Sequence, residues 1–225
     1  MLQGCAVSGG FAVGKILIIG ENKHTLGNTY LGQKEENERF ETALGEVTTK
    51  TKEVCARIRS IIGKSEADIF QGHICLAQDP EVQKEVKEKI ARGFNAETAA
   101  ESVFNRHIEH FLAAPHEWTR QRAADIRDIK HSFLSALCDE PQKKTVIPAG
   151  SVVAARELTP SAVSFLDRRR TAAVLTGEGG YSAHLAILLR AMGIPAVFSL
   201  KGLMDRVRDG QKVLVDGDKG EVYFI

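Results

Sequence analysis

The chain has 225 residues, 43% hydrophobic and 26% charged, proportions of a water-soluble globular protein with room for one large domain or two small ones. Its 30 basic and 29 acidic residues leave a net charge of +1, which gives no basis for bulk nucleic-acid binding. No apolar run approaches the ~20 residues that span a bilayer, and Met1-Leu2-Gln3-Gly4-Cys5 lacks the basic start of a signal peptide. Cys5, Cys55, Cys75 and Cys138 show no Cys-x-x-Cys spacing, so they read as reduced thiols of a cytoplasmic protein, not a disulfide frame or a zinc site.

Residues 1–20 are β-like: Gly9-Gly10 and Gly14 punctuate, and Lys15-Ile16-Leu17-Ile18-Ile19 predicts a strand. Residues 33–138 then turn helical. Phe40, Leu44, Val47, Thr51, Val54, Ile58 and Ile61 recur at alternating spacings of four and three, a heptad-like seam on one long helix that ends near Gly63. A second helix is expected over 66–78. Asp79-Pro80 opens a third at its first turn, and Gly93 closes it. Val103, Phe104, Ile108, Phe111 and Leu112 mark a fourth stripe; Ile126, Ile129, Phe133 and Leu137 mark a fifth after Pro115. Amphipathic helices on short loops bury their stripes against one another, as an antiparallel bundle.

From about residue 145 the β-like character returns. Strands are expected at 146–147, 152–154, 172–175, 196–198, 213–215 and 222–224, the last two joined by a hairpin at Asp216-Gly217-Asp218-Lys219-Gly220. Helices are expected near 161–166 and over 183–192, the latter ended by Gly193 and Pro195. The simplest topology inserts a helical bundle between the first strand and the rest of an α/β domain.

The densest chemistry lies at Gly179-Gly180-Tyr181-Ser182-Ala183-His184, which puts a histidine in the first turn of a helix just after two glycines. Helix N-termini carry unsatisfied N–H groups and partial positive charge, which favour phosphate. A histidine there can accept a phosphoryl group on a ring nitrogen. Spacing alone equally allows a plain Gly-Gly turn with an incidental histidine and Ser182 as an N-cap.

The run Gly179-Gly180-x-Ser182-Ala183-His184-x-Ala186-Ile187-x-x-Arg190-x-x-x-Ile194-Pro195-Ala196-Val197 resembles the phosphohistidine signature of Enzyme I of the sugar phosphotransferase system, shared with pyruvate phosphate dikinase and phosphoenolpyruvate synthase. Three further stretches are similar to Enzyme I: Gly4 to Lys15, Ile69-Phe70-x-Gly72-His73-Ile74-x-Leu76-x-x-Asp79, and Arg122-Ala123-Ala124-Asp125-Ile126-Arg127-Asp128-Ile129. The resemblance implies an α/β phosphohistidine (swivelling) domain over 1–25 and 145–225, with an inserted all-α helical-bundle subdomain over 30–140 that binds the carrier protein HPr. It implies His184 as the phosphorylated residue, through Nε2. Gly179 and Gly180 would shape the loop, and Ser182 would cap the helix or bond the phosphoryl oxygens. Arg190 would make either a structural salt bridge or a phosphate contact.

Where the family commonly has Thr-Ser before the histidine, this chain has Ser182-Ala183; Ser199 replaces a usual glycine and Gly9 a frequent proline. The segment 66–81 is the expected docking surface, with acidic Glu66, Asp68, Asp79 and Glu81 around apolar Ile69, Phe70, Ile74 and Leu76, though helical apolar residues equally serve as bundle core. His73 reads as a packing or hydrogen-bonding residue. His107, His110 and His116 lack a completing carboxylate or cysteine set for zinc. Arg122, Asp125, Arg127 and Asp128 read as ion pairs that fix the last helix.

The family's full-length enzyme continues into a C-terminal barrel domain that binds phosphoenolpyruvate and Mg2+, so this chain is expected to need no cofactor itself and to be a monomer. A phosphotransfer module of a dihydroxyacetone kinase or nitrogen-related branch, and a non-catalytic partner-binding module, are the alternatives.

Overall fold

The computed structural model describes residues 1–20, 24–138, 146–177 and 183–225, without the side chains of residues 69, 117, 118, 121 and 183. The chain divides into two compact units, Met1–Asn22 with Lys144–Ile225, and Lys23–Lys143. The first is α/β and the second all-helical, so a helical insertion interrupts an α/β domain, as the change in periodicity predicts.

In the α/β unit the strands are β1 (Leu2–Gln3), β2 (Cys5–Ser8), β3 (Phe11–Ile19), β4 (Ser151–Ala155), β5 (Thr171–Thr176), β6 (Ala196–Phe198), β7 (Lys212–Asp216) and β8 (Glu221–Phe224). Among the described residues they form one sheet in the order β1-β8-β7-β3-β4-β5-β6-β2. Strands β3 to β6 are parallel, with Lys15 opposite Ser151 and Val152 opposite Ala173. Strand β7 pairs antiparallel with β3 and β8, and β2 pairs antiparallel with β6.

Every residue of β4 is buried. That is why its sequence is a continuous apolar run: a central parallel strand is covered on both faces. Val152, Leu175, Val197, Val213 and Val215 meet in the core of this unit.

Two expectations fail here. Val146 and Ile147 do not form a strand: Val146 is 72% exposed and only Ile147 turns inward. Pro148 removes a ladder donor just after them, and Gly150, at φ +74°, then turns the chain into β4. The helix expected near 161–166 is a tighter 3-10 turn over Pro160–Phe165.

The helical unit holds α1 (Gln33–Ile61), α2 (Lys64–Ala77), α3 (Pro80–Ala91), α4 (Ala96–Leu112) and α5 (Glu117–Leu137). Its core stacks Phe40 on Phe133 at 5.7 Å and tilts Phe104 against Phe133 at 5.3 Å, among Val47, Val86, Ile90, Val103 and Ile126. The seam of α1 is buried at Phe40, Val47 and Ile58 but runs out at Ile61, which is 53% exposed.

The caps follow local chemistry. Asp79 Oδ1 accepts the Glu81 N–H at 2.8 Å ahead of Pro80, and Asn95 Oδ1 accepts the Thr98 N–H at 3.0 Å. Each such cap is worth about 1 kcal/mol. Glu36 is wholly buried. Its carboxylate accepts the Leu31 N–H at 3.0 Å and the Ala96 N–H at 2.9 Å, and Arg39 donates to it at 2.8 Å. Arg39 also donates to Glu97 at 3.2 Å and to the Leu137 carbonyl at 3.1 Å.

Candidate functional site

The histidine singled out by the sequence sits on α6 (Ala183–Met192), the helix that follows β5. Because β4, β5 and β6 run parallel, the start of α6 lies beyond the carboxyl end of β5, where open α/β sheets place their ligands. His184 occupies the first turn and is half-buried. The expected loop residues Gly179, Gly180 and Ser182 lie outside the described residues.

The rest of the helix is fixed. Leu185, Ala186, Leu188, Leu189 and Met192 are all buried. The carboxyl end is closed by Gly193 at φ +64°, whose N–H reaches the Arg190 carbonyl at 2.9 Å, while the Ile194 N–H reaches that of Leu189 at 3.0 Å. Thus a helix packed firmly along its inner face carries the histidine in its first turn, where a helix dipole is positive. That arrangement can stabilise negative charge arriving at the ring.

Arg190 Nε donates to the carbonyl of Val7 at 2.6 Å, which ties α6 to β2. The 3-10 turn packs against α6 and begins with a hydroxyl pair, Thr159 Oγ1 and Ser161 Oγ at 3.1 Å, that the sequence reading passed over. Its only local signal was Thr-Pro-Ser, an N-cap pattern ahead of a proline.

The docking segment divides by burial. Phe70 and Ile74 point into the helical unit and are 1% and 5% exposed, so they are core, not docking surface. Helix α2 must bury one face against α1 and α5, and these residues are on it. Leu76 is partly buried against the same interior, and the side chain of Ile69 lies outside the described residues. Asp79 is committed to capping α3. Asp68 is exposed, 3.8 Å from Arg59; Glu81 is exposed and Glu66 half-buried.

Among the described residues the exposed positions of α2 are therefore Lys64, Ser65, Asp68, Gln71, Gly72 and Cys75, of which Gly72 and Cys75 carry no charge or large apolar group to flag them. Among the described residues, nothing lies within 4 Å of where a Cβ on Gly72 would stand.

Asp125 and Asp128 face His73, with Nε2 3.3 Å from Asp125 Oδ1 and Nδ1 3.7 Å from Asp128 Oδ2. His107 Nε2 lies 3.0 Å from Glu85 Oε2, and His110 stands edge-on to Phe111. Among the described residues no three His, Cys, Asp or Glu side chains converge to hold a metal ion, and no helix is long and apolar enough to cross a membrane.

An α/β unit with a helix-borne histidine past a parallel strand, opened between two paired strands to admit a helical unit, defines the class: an α/β domain with a helical insertion. The chain belongs to the PEP-utilising enzymes, the family model for their N-terminal region matching residues 3–122 and that for their mobile domain residues 147–220.

It is 33% identical over 224 residues to the phosphoenolpyruvate-protein phosphotransferase of Priestia megaterium, and 31% over 224 residues to that of Bacillus subtilis (strain 168). Each match covers 98% of this chain but only 39% of the relative. The solution structure of an Enzyme I protein (nEIt) superposes with a TM-score of 0.77 at 29% identity, covering 100% of this chain and 92% of that one. The N-terminal domain of Enzyme 1 - Nitrogen shares the fold, with a TM-score of 0.63 at 23% identity, over 100% of this chain and 93% of that one.

Proposed function

We propose that this chain is the phosphohistidine and carrier-docking module of a sugar phosphotransferase Enzyme I. In this reading His184 exchanges a phosphoryl group with a histidine of an HPr-type carrier. The N–P bond at one imidazole forms as that at the other breaks, so a phosphoramidate is exchanged for a phosphoramidate with little free-energy change. Such a transfer needs in-line placement and stabilisation of spreading negative charge more than acid–base help. The observation that carries the reading is the half-buried His184 in the first turn of a helix whose inner face is locked in the core. A histidine carried on a helix already packed into the core lies at the positive end of the helix dipole, which favours the arriving phosphoryl group.

The carrier would dock on the helical unit, over the outward face of α2 and the start of α3. Asp68 and Glu81 are exposed there and would steer a partner with a basic rim around its own histidine. Gly72 supports close contact: an exposed glycine inside a helix costs about 1 kcal/mol relative to alanine, and no described residue comes within 4 Å of where its Cβ would stand. Use of phosphoenolpyruvate with Mg2+ would belong to a whole protein in which this module is joined to a phosphoenolpyruvate-binding C-terminal domain.

The test is intact-protein mass after incubation with phosphorylated HPr, with His184→Ala as control. An acid-labile, alkali-stable phosphoryl adduct on the wild type alone is expected. Absence of the adduct on folded wild-type protein, or its persistence in His184→Ala, would refute the assignment.

A further inference from the structure

The outward side of α6 carries little charge. A helix on the surface of a soluble protein normally turns a polar stripe to water. Among the described side chains of α6 the exposed ones are Ile187, Arg190 and Ala191, with half-buried His184 ahead of them in the first turn. The sequence of the helix contains no acid and no lysine. Arg190 is tied down, since its Nε donates to the Val7 carbonyl on β2 at 2.6 Å.

Ile187 is 42% exposed. Fold stability does not account for an isoleucine there. Leu185, Leu188, Leu189 and Met192 already fill the inner side, and a β-branched residue suits an exposed helical position less well than a straight-chain one. Its place beside the histidine does account for it. Residues three apart share a helix face, with Cβ atoms about 5–6 Å apart, so Ile187 adjoins His184. Helical side chains also lean towards the N-terminus, so Ile187 covers surface over the turn that holds the histidine.

We propose that Ile187 is the apolar seat for an incoming phosphocarrier, receiving an apolar side chain that flanks the carrier's own reacting histidine. The proposal rests on the reading of His184 as the phosphorylated residue. In that reading the phosphoryl group leaves the carrier's imidazole for that of His184. The accepting nitrogen must then come within about 3–3.5 Å of the phosphorus, in line with the bond that breaks. A partner that close to His184 also covers the residue one turn along the same face. What it lays on Ile187 is apolar, because a charge placed there would lose its water and gain no partner. Such a contact adds affinity and keeps water from one side of the transferring group.

The experiment follows transfer from phosphorylated HPr to the 225-residue chain by rapid quench and intact mass, over a range of HPr concentrations. Ile187→Asn should raise the half-saturating concentration about tenfold, with far less effect on the saturating rate. Ile187→Leu, which keeps the apolar surface, should stay near the wild type. Both variants should keep the wild-type thermal midpoint to within a few degrees, because the site is exposed. In a methyl-labelled chain the Ile187 δ1 resonance should shift as unphosphorylated HPr is added.

An Ile187→Asn variant with wild-type half-saturation would overturn the proposal, and so would a Leu variant as impaired as the Asn one. An Ile187 methyl that HPr leaves unmoved would do the same, and would assign this face to another protein or to another segment of a longer polypeptide. These outcomes leave His184 phosphorylated in the wild type. A wild type that accepts no phosphoryl group is a separate result, which removes the reading of His184 and this proposal with it.

Discussion

His73 Nε2 lies 3.3 Å from Asp125 Oδ1, a buried imidazole on α2 against a carboxylate on α5. Burial on its own would lower the His73 pKa, but hydrogen bonding to Asp125 and the charges of Asp128 and Asp125 outweigh it and raise the value. A folded pKa above the ordinary value of about 6.5 means a stabilising contribution that is complete below that pH. It is lost as pH rises through the raised value. The urea midpoint of the wild type should exceed that of His73→Gln by most near pH 6, and the gap should narrow towards about pH 9. A gap that does not change with pH would exclude the charged pair.

Glu36 offers a harsher test of buried charge. Its carboxylate is wholly buried and holds two backbone N–H groups as well as Arg39. Removing one member of such a set strands the others, at about 3–5 kcal/mol. Glu36→Ala should lower the unfolding free energy by that amount in a denaturant titration, whereas Glu38→Ala, on the exposed side of the same helix, should stay within about 0.5 kcal/mol. Equal effects would mean the network contributes little.

Within the docking segment, stability and partner affinity should separate residue by residue. Phe70→Ala should destabilise the chain by about 3–5 kcal/mol, as for any fully buried phenylalanine. Gly72→Ala should do the reverse, adding up to about 1 kcal/mol of helix stability while, on the proposed docking, weakening binding of an HPr-type carrier. Calorimetric titration alongside thermal unfolding would check both. A Gly72→Ala variant that binds HPr as tightly as the wild type would remove α2 from the interface.

Ser199 has φ +57°, in the left-handed region, and is the one non-glycine with positive φ among the described residues. This is a position where the resemblance to Enzyme I calls for glycine. The left-handed conformation costs a residue with a Cβ about 1–2 kcal/mol, against about 0.4–1 kcal/mol for the extra freedom of an unfolded glycine. Ser199→Gly should therefore stabilise by about 0.5–1 kcal/mol, raising the thermal midpoint by roughly 2–4 °C. A midpoint at or below that of the wild type would contradict this.

Which parts of this structure could be foreseen depends on the range of the interactions behind them. The inserted helical unit announced itself because its elements obey a local period, and Asp79-Pro80 and Gly193 marked helix ends by backbone chemistry that acts within a few residues. His184 stood out as a candidate because its motif is continuous in sequence. Burial was harder. Phe70 and Ile74 look like any apolar pair until the packing of α2 decides which side faces inward. Glu36, in a first turn rich in acids, looks like a solvated charge, and its burial depends on Ala96, far along the chain. Strand order was likewise invisible, since β1 and β2 are two and four residues long and owe their place to distant partners.

The helical unit leaves the α/β unit between β3 and β4, yet those strands are neighbours, with Lys15 opposite Ser151. The consequence falls on biosynthesis. As the chain emerges from the ribosome, Lys23–Lys143 is contiguous and can close its own core, while β3 waits, unpaired on both sides, until β4 and β7 have been translated. Strand β3, translated before the helical unit, is thus among the last to be completed, and its exposed edges are what a nascent-chain chaperone would have to shield.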